Sequence, residues 1–302
     1  MKIAVNTRFL LKNKLEGIGW FTHEIFKRLV EDHPEVEWHF LFDRTYSDSY
    51  IYAKNVTPHI IRPAARHPVL WYLWYEWGVT QKLEHIKPDL FISPDGYLSL
   101  RSKFPVLQVL HDINFEHQPE YLPKKVRGYF KYYFHRFSKK STRIATVSEY
   151  SKMDIAKTYQ VAPEKIDIVY NGAGAHFHPT SLGEKAEARK KAGGHCYFVF
   201  VGALNPRKNL NGMLEAFDQY TEQGGKYHFM IVGEKMYWPP SIEEAFNKLK
   251  HKDKVHFTGR LEGEGLNKII SGAEALLFVS HFEGFGIPIV EAFKAETLVI
   301  TS

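Results

Sequence analysis

Residues 275–292 read ALLFVSHFEGFGIPIVEA, and this stretch decides the fold. Ala275–Val279 is an apolar run of strand length. Gly284 and Gly286 punctuate a turn, and Pro288 stands where a helix begins. Strand, glycine-bearing turn and helix make up the repeating unit of a parallel α/β sheet. The unit recurs upstream, with strands expected at Tyr197–Val201, His228–Val232 and Val255–Phe257 and a last one at Leu298–Thr301. Helices are expected between them at Asn211–Gln223, Ser241–Lys250, Glu264–Ser271 and Pro288–Ala295.

The first half shows the same alternation. Strands are expected at Lys2–Asn6, Trp38–Leu41, Leu90–Ile92, Pro105–Leu110, Arg143–Thr146 and Ile166–Val169. Helices are expected at Trp20–Glu31, Leu70–His85, Lys124–Lys139 and Glu149–Tyr159. Between the halves, Asn171-Gly172-Ala173-Gly174 leads into a polar stretch that ends at Gly194. The expected organisation is therefore an α/β domain over 1–172, a linker over 173–195 and a second α/β domain over 196–302. Ligands of such sheets bind outside the carboxyl ends of the strands. Because residue 302 directly follows a strand, the second domain is expected to be incomplete, with an unpaired sheet edge.

The 302 residues are 44% hydrophobic and 25% charged, an ordinary globular composition that excludes disorder and small disulfide scaffolds. The balance of 40 basic and 34 acidic residues leaves +6. That charge suits anionic ligands such as nucleotides, phosphates or acidic lipids, and it is too weak to argue for nucleic acid. The single cysteine, Cys196, excludes an internal disulfide and fits a reducing, cytoplasmic compartment. No run approaches the ~18 apolar residues of a membrane span. Pro68–Val79 is short and contains Glu76, and the opening MKIAVNTRFL has no signal-peptide pattern.

Four places offer chemistry. In the deciding stretch, amides at a turn and helix start attract anions. Glu283 precedes the turn, and Glu291 falls in the first helical turn. One carboxylate would take sugar hydroxyls and the other ribose hydroxyls, with amides on a diphosphate between them. The competing reading is a helix cap, since a first-turn glutamate is favourable against the dipole anyway. Second, Gly202 ends a strand and the following loop carries Arg207 and Lys208, adjacent cations able to neutralise a leaving diphosphate. A solvated basic turn competes with that reading. Third, Gly17-Ile18-Gly19 follows the first strand, and its glycines would admit a phosphate or an acceptor, or merely turn the chain. The full GxGxxG is absent, with Thr22 at its third position, and so is a P-loop. Fourth, His111-Asp112 ends a strand, where His111 would hold a sugar or acceptor hydroxyl. A histidine satisfied by Asp112 or by backbone competes. No Asp-x-Asp or HExxH occurs, so no metal or other cofactor is expected. The basic, aromatic segment Lys124–Lys140 would lie on an acidic membrane surface, or form a solvated helix with an apolar inner face.

Taken together, Gly17-Ile18-Gly19, VLHD ending at Asp112, RIATVSEYSKMDIAKTY with IDIVYNG, GALNPRKN, and Glu283 paired with Glu291 across seven residues resemble the retaining glycosyltransferases of family 4 (group 1). The resemblance runs over essentially the whole chain. It implies the GT-B fold, two Rossmann-like domains facing across a cleft. It also implies a nucleotide-sugar donor held by the second domain, an acceptor held by the first, and transfer with retention and without a metal. Carried over, Glu283 would contact the donor sugar and Glu291 the ribose. Gly284, Phe285 and Gly286 would offer backbone to the donor, Arg207 and Lys208 would bind the diphosphate, and Gly17 and Gly19 would approach donor phosphate or acceptor. His111 would sit at the reaction centre. Two departures stand out: Ala203 replaces a common arginine, and Glu296 stands where the family has glycine, which favours the positive φ of a helix end. The expected function is transfer of a hexose from GDP-mannose or a UDP-hexose to a saccharide or lipid-linked acceptor. The alternative is a nucleotide-sugar-binding or scaffolding protein without turnover.

Overall fold

The computed structural model describes residues 1–12, 15–234 and 240–302. Its first strand, β1 (Lys2–Asn6), buries four successive residues rather than alternate ones. Burial on both faces marks a strand inside a parallel sheet covered on each side. The faces separate cleanly. Ala4 packs with Trp74, Tyr75 and Phe91 on one side, while Ile3 and Val5 pack with Phe26, Trp38 and Phe40 on the other.

The chain divides into two units, Met1–Asn171 and Gly172–Ser302. In the first, β1 is followed by α1 (Gly17–Asp32), β2 (Glu37–Phe42), β3 (Val56–Ile60), α2 (Pro68–Leu73), α3 (Thr80–Ile86), β4 (Leu90–Ser93) and β5 (Val106–Val109). Then come α4 (Asn114–His117), α5 (Lys124–Lys140), β6 (Arg143–Thr146), α6 (Glu149–Tyr159) and β7 (Ile166–Ile168). The seven strands are ordered β3-β2-β1-β4-β5-β6-β7, all parallel. The second unit runs α7 (Leu182–Lys190), β8 (Tyr197–Val201), α8 (Leu210–Glu222), β9 (His228–Val232), α9 (Pro240–Lys248) and β10 (Val255–Gly259). It ends with α10 (Gly263–Ser271), β11 (Ala275–Phe278), α11 (Ile287–Lys294) and β12 (Leu298–Thr301). Its smaller parallel sheet is ordered β10-β9-β8-β11-β12. Strand order reverses between β1 and β4 in one unit and between β8 and β11 in the other. Such reversals open a crevice at the carboxyl ends of the strands.

Three expectations need correction. β3 was not expected, because Pro58 interrupts its apolar pattern; proline is tolerated there because β3 is an edge strand. The expected helix over 70–85 is three pieces, α2, a π-turn over Trp74–Val79 and α3. Gly78 lies in the turn because a Cβ there would come 2.6 Å from the Ile61 side chain. The stretch 173–195, read as a linker, belongs to the second unit. Phe177, Ala188 and Ala192 are buried in its core beside Tyr197, and a Ser181–Glu184 capping box starts α7. An apolar stripe of two alanines is too slight to stand out from a polar composition.

Candidate active site

In the second unit, β8 and β11 are neighbours, so the loops that follow them meet. Gly202 ends β8. Pro206–Lys208 forms a single 3₁₀ turn, and Asn209, at φ +56°, redirects the chain into α8. Asn209 Nδ2 donates to Val279 O at 3.0 Å, His281 N donates to Arg207 O at 2.9 Å, and Arg207 Nη1 donates to Phe282 O at 2.6 Å. These three bonds lace the two loops together. They bring Glu283 between the cations, 2.9 Å from Arg207 Nη1 and 2.5 Å from Lys208 Nζ. The solvated-turn reading of Arg207 and Lys208 does not hold, since their side chains are 20% and 11% exposed. Burial alone would raise the Glu283 carboxyl, but Lys208 and Arg207 outweigh it and hold it below the ordinary value. Two cations against one carboxylate leave a local excess of positive charge suited to a phosphate.

After Glu283, Gly284 and Phe285 lead to Gly286, whose φ of +94° is the left-handed conformation that favours glycine. Pro288 follows in the opening turn of α11. Because α11 begins at Ile287, Glu291 is its fifth residue and not in its first turn, which has no acidic residue. The helix-cap reading therefore fails, as the dipole's influence fades within the first turn. Among the described residues nothing bonds to the Glu291 side chain, and burial pushes its carboxyl up to about 7. An unpartnered, half-buried carboxyl is costly unless it serves a ligand.

The first unit assembles its own constellation at the carboxyl ends of β1 and β5. Gly17 opens α1, and Gly19 is confined by packing, since a Cβ would lie 2.7 Å from Phe9 O. The opening turn of α1 thereby lies against the backbone at Phe9. Phe21 of α1 stands edge-on to His111, ring centroids 4.7 Å apart. His111 Nε2 bonds to Pro94 O at 3.0 Å, so backbone satisfies one ring nitrogen. Asp112 caps Asn114 instead, accepting from its backbone N at 3.0 Å. Burial, only partly offset by the Pro94 bond and nearby carboxylates, lowers the His111 pKa, so the ring is neutral. The SEYS segment finds its reason here: Ser148 caps α6, and Ser151 Oγ donates to His111 O at 3.3 Å. Thr146 Oγ1 holds the preceding carbonyl, Leu110 O, at 2.7 Å. Among the described residues no group of three or more His, Cys, Asp or Glu is arranged to hold a metal ion.

Residues 15–174 match the family model described as Glycosyltransferase Family 4, and residues 183–302 match that of glycosyl transferases group 1. The chain belongs to glycosyltransferase family 4. This family 4 enzyme is 29% identical to the O-antigen chain mannosyltransferase RfbU of Salmonella typhimurium over 85% of its own length and 69% of that protein. It is 24% identical to the O-antigen chain mannosyltransferase B of Escherichia coli over 100% of its own length and 82% of that protein. Its fold is that of Anabaena Alr3699/HepE, solved in complex with UDP-glucose (TM-score 0.73, 17% identity, 100% of this chain and 80% of that one). It is also that of WaaG, a glycosyltransferase involved in lipopolysaccharide biosynthesis (TM-score 0.73, 17% identity, 99% and 80%).

Within the enzyme, the structure groups Gly202, Arg207, Lys208 and Glu283 directly, with Gly284, Phe285, Gly286 and Glu291 continuing from them along the chain. In the first unit Gly17 and Gly19 lie at the start of α1, which reaches His111 through Phe21. Sequence reasoning missed Asn209, whose positive φ and side-chain bond tie the loops, and the buried pair Arg8–Asp95. Asn209 follows a basic dipeptide at a helix start, a position where asparagine signals a turn. Nothing local marks Arg8 or Asp95, which lie 87 positions apart.

Proposed function

We propose that this glycosyltransferase moves a hexose, with retention, from a nucleotide-sugar donor to a saccharide or lipid-linked acceptor. The donor is GDP-mannose or a UDP-hexose. The observation that carries the reading is Glu283 gripped by Arg207 and Lys208 at the strand-order reversal of the second sheet. Such a crevice takes nucleotides, and a carboxylate beside two cations matches a ligand with hydroxyls next to a diphosphate. Arg207 and Lys208 bind the diphosphate and stabilise its charge as the glycosidic bond breaks. Glu283 orients the sugar, Glu291 receives the ribose hydroxyls, and His111 takes a hydroxyl at the reaction centre. Relatives named as mannosyltransferases support mannose as the sugar, and the UDP-glucose complex of the structural neighbour supports the nucleotide-sugar class. Hydrolysis and transfer measured over a panel of UDP- and GDP-sugars test the reading. Turnover is expected to fall at least about 100-fold in Glu283→Ala and Lys208→Ala. Failure of the unsubstituted protein to bind any nucleotide sugar overturns it.

A peripheral contact with the cytoplasmic membrane face belongs to the same reading. Among the described residues no helix is long and apolar enough to cross a membrane. α5 carries seven Lys and Arg and no acid. Tyr132 on α5 and Val69, Tyr72, Leu73 and Trp77 near α2 are exposed, and the Tyr72 and Tyr133 rings lie 6.4 Å apart. Basic residues interleaved with exposed aromatics suit an anionic lipid surface. Co-sedimentation with phosphatidylglycerol vesicles but not phosphatidylcholine vesicles, lost at high salt, is the expected result. Equal recovery with both lipids refutes it.

A further inference from the structure

The first unit carries, at its own strand-order reversal, a feature of the same kind as the second. β1 and β4 are neighbours there as β8 and β11 are in the second unit. Again a cation after the first strand pairs with a carboxylate after the fourth: Arg8 Nε donates to Asp95 at 2.6 Å. Unlike Arg207, Lys208 and Glu283, these side chains are 5% and 1% exposed, so the pair is not itself placed to grip a ligand. Buried ion pairs are weak contributors to stability, and apolar replacements often do as well. A chain that keeps one at a functional crevice is holding an arrangement in place.

That arrangement can be traced bond by bond. Asp95 also accepts from Tyr75 Oη at 3.1 Å, Ser93 Oγ at 3.0 Å and Tyr97 N at 3.1 Å. The Arg8 guanidinium carbon lies 4.3 Å from the Tyr97 ring centroid, and Nη1 reaches Ala65 O at 3.4 Å. Together these contacts fix the turn from Ser93 to Tyr97, which contains Pro94. The Pro94 carbonyl bonds to His111 Nε2. A carbonyl can only accept, so Nε2 carries the ring hydrogen and Nδ1 keeps its lone pair. Among the described residues Nδ1 has no partner, and it is not one of the polar atoms sealed from solvent. The Phe21 edge and the bonds to the His111 and Leu110 carbonyls leave the ring little freedom to turn.

We propose that Arg8 and Asp95 are positioning residues for His111, holding the ring so that its Nδ1 meets the donor or acceptor hydroxyl already assigned to it. The inference rests on the function proposed above. Its test is a double-mutant cycle on the full chain with Asp95→Asn, His111→Asn and both together. Tyr75→Phe serves as a milder perturbation that leaves the ion pair intact. The readouts are donor hydrolysis, transfer to octyl α-mannoside, Kd for the nucleoside diphosphate, and the melting temperature. Each single substitution at 95 or 111 is expected to lower kcat about 10- to 100-fold, as misplacement of a reacting group by about 1 Å does. The double variant should lose no more than about twofold beyond His111→Asn, and Tyr75→Phe should fall between. Nucleoside diphosphate affinity should stay within about twofold, because its site is in the other unit. Loss of hydrolysis and transfer together assigns the hydroxyl to the donor; loss of transfer alone assigns it to the acceptor. If the losses multiply in the double variant, the positioning role is overturned. It is also overturned if Asp95→Asn and Tyr75→Phe lower the melting temperature while kcat stays within twofold. Should Asp95→Asn not fold, the same cycle run with Tyr75→Phe decides. An unsubstituted protein that binds no nucleotide overturns the functional reading and this inference together, whereas additivity in an active enzyme overturns only the inference.

Discussion

Glu283→Gln is expected to tighten the binding of a nucleoside diphosphate while suppressing turnover. The carboxylate takes up both cations, at 2.9 and 2.5 Å, so a diphosphate reaching Arg207 and Lys208 must displace it. Hydrogen bonds to charged groups contribute about 1.5–3 kcal/mol each, which sets the gross hold on Glu283 at about 3–6 kcal/mol. Displacement costs less than that, because Glu283 is 19% exposed and regains water as it leaves. A net penalty of about 1–2 kcal/mol corresponds to a factor of about 5–30 in affinity. Glutamine has nearly the same shape and no charge, so the penalty largely disappears. GDP and UDP should therefore bind the variant about 5- to 30-fold more tightly. An intact nucleotide sugar should gain little, because its hydroxyls supply the displaced carboxylate with new partners and glutamine accepts from them less well. The preference for donor over nucleoside diphosphate should shrink accordingly. Titration calorimetry of GDP, UDP and their sugars against both proteins reads each quantity. If GDP and UDP bind a correctly folded Glu283→Gln no more tightly than the unsubstituted protein, the competition argument is wrong.

Three further outcomes follow from particular residues. Burial lifts the Glu291 carboxyl to about 7, so the unfolded chain binds fewer protons between about pH 4.5 and 7 and stability falls as pH rises through that window. Glu291→Gln should then be more stable by about 2 kcal/mol at pH 8, with no gain at pH 4, in urea denaturation. It should also lose the rise in donor affinity expected of the unsubstituted enzyme as pH passes 7. Glu296 sits at φ +54°, where a side chain is strained, so Glu296→Gly should raise stability by about 1 kcal/mol, measured by thermal unfolding. Finally, His195, His228 and His256 stack with centroids 4.1 and 5.0 Å apart, and burial followed by the two neighbouring rings pushes His228 down to about 4. The unfolded chain takes up that proton first, so stability is complete above about pH 6.5 and drops by about 1–2 kcal/mol on going to pH 5. His228→Asn should flatten that slope.

The parallel strands were legible because a strand buried on both faces reads as a near-continuous apolar run, as in YFVFV of β8 and the FMIV of β9. β3 was hidden for the converse reason, since an edge strand tolerates a proline that a central strand would not. The helix over 287–294 was legible from Gly286 and Pro288, yet the turn on which Glu291 falls depends on where the first helical hydrogen bond forms, an uncertainty of one or two residues in any sequence reading. Glu296 looked like a departure in sequence. The structure accommodates it in the left-handed conformation, where its own N donates to Phe293 O and Thr297 N donates to Ala292 O.

Residue types and local spacing thus determined the class of the fold, the two glycine-bearing loops and the candidate side chains on them, because each depends on neighbours within a few positions. Which of those side chains touch was decided only by tertiary structure. Glu283 reaches Lys208 across 75 positions because β8 and β11 lie side by side where the strand order reverses. Arg8 reaches Asp95 for the same reason at β1 and β4. Strand order arises from how the whole sheet buries its faces, and no local window of the chain contains that information.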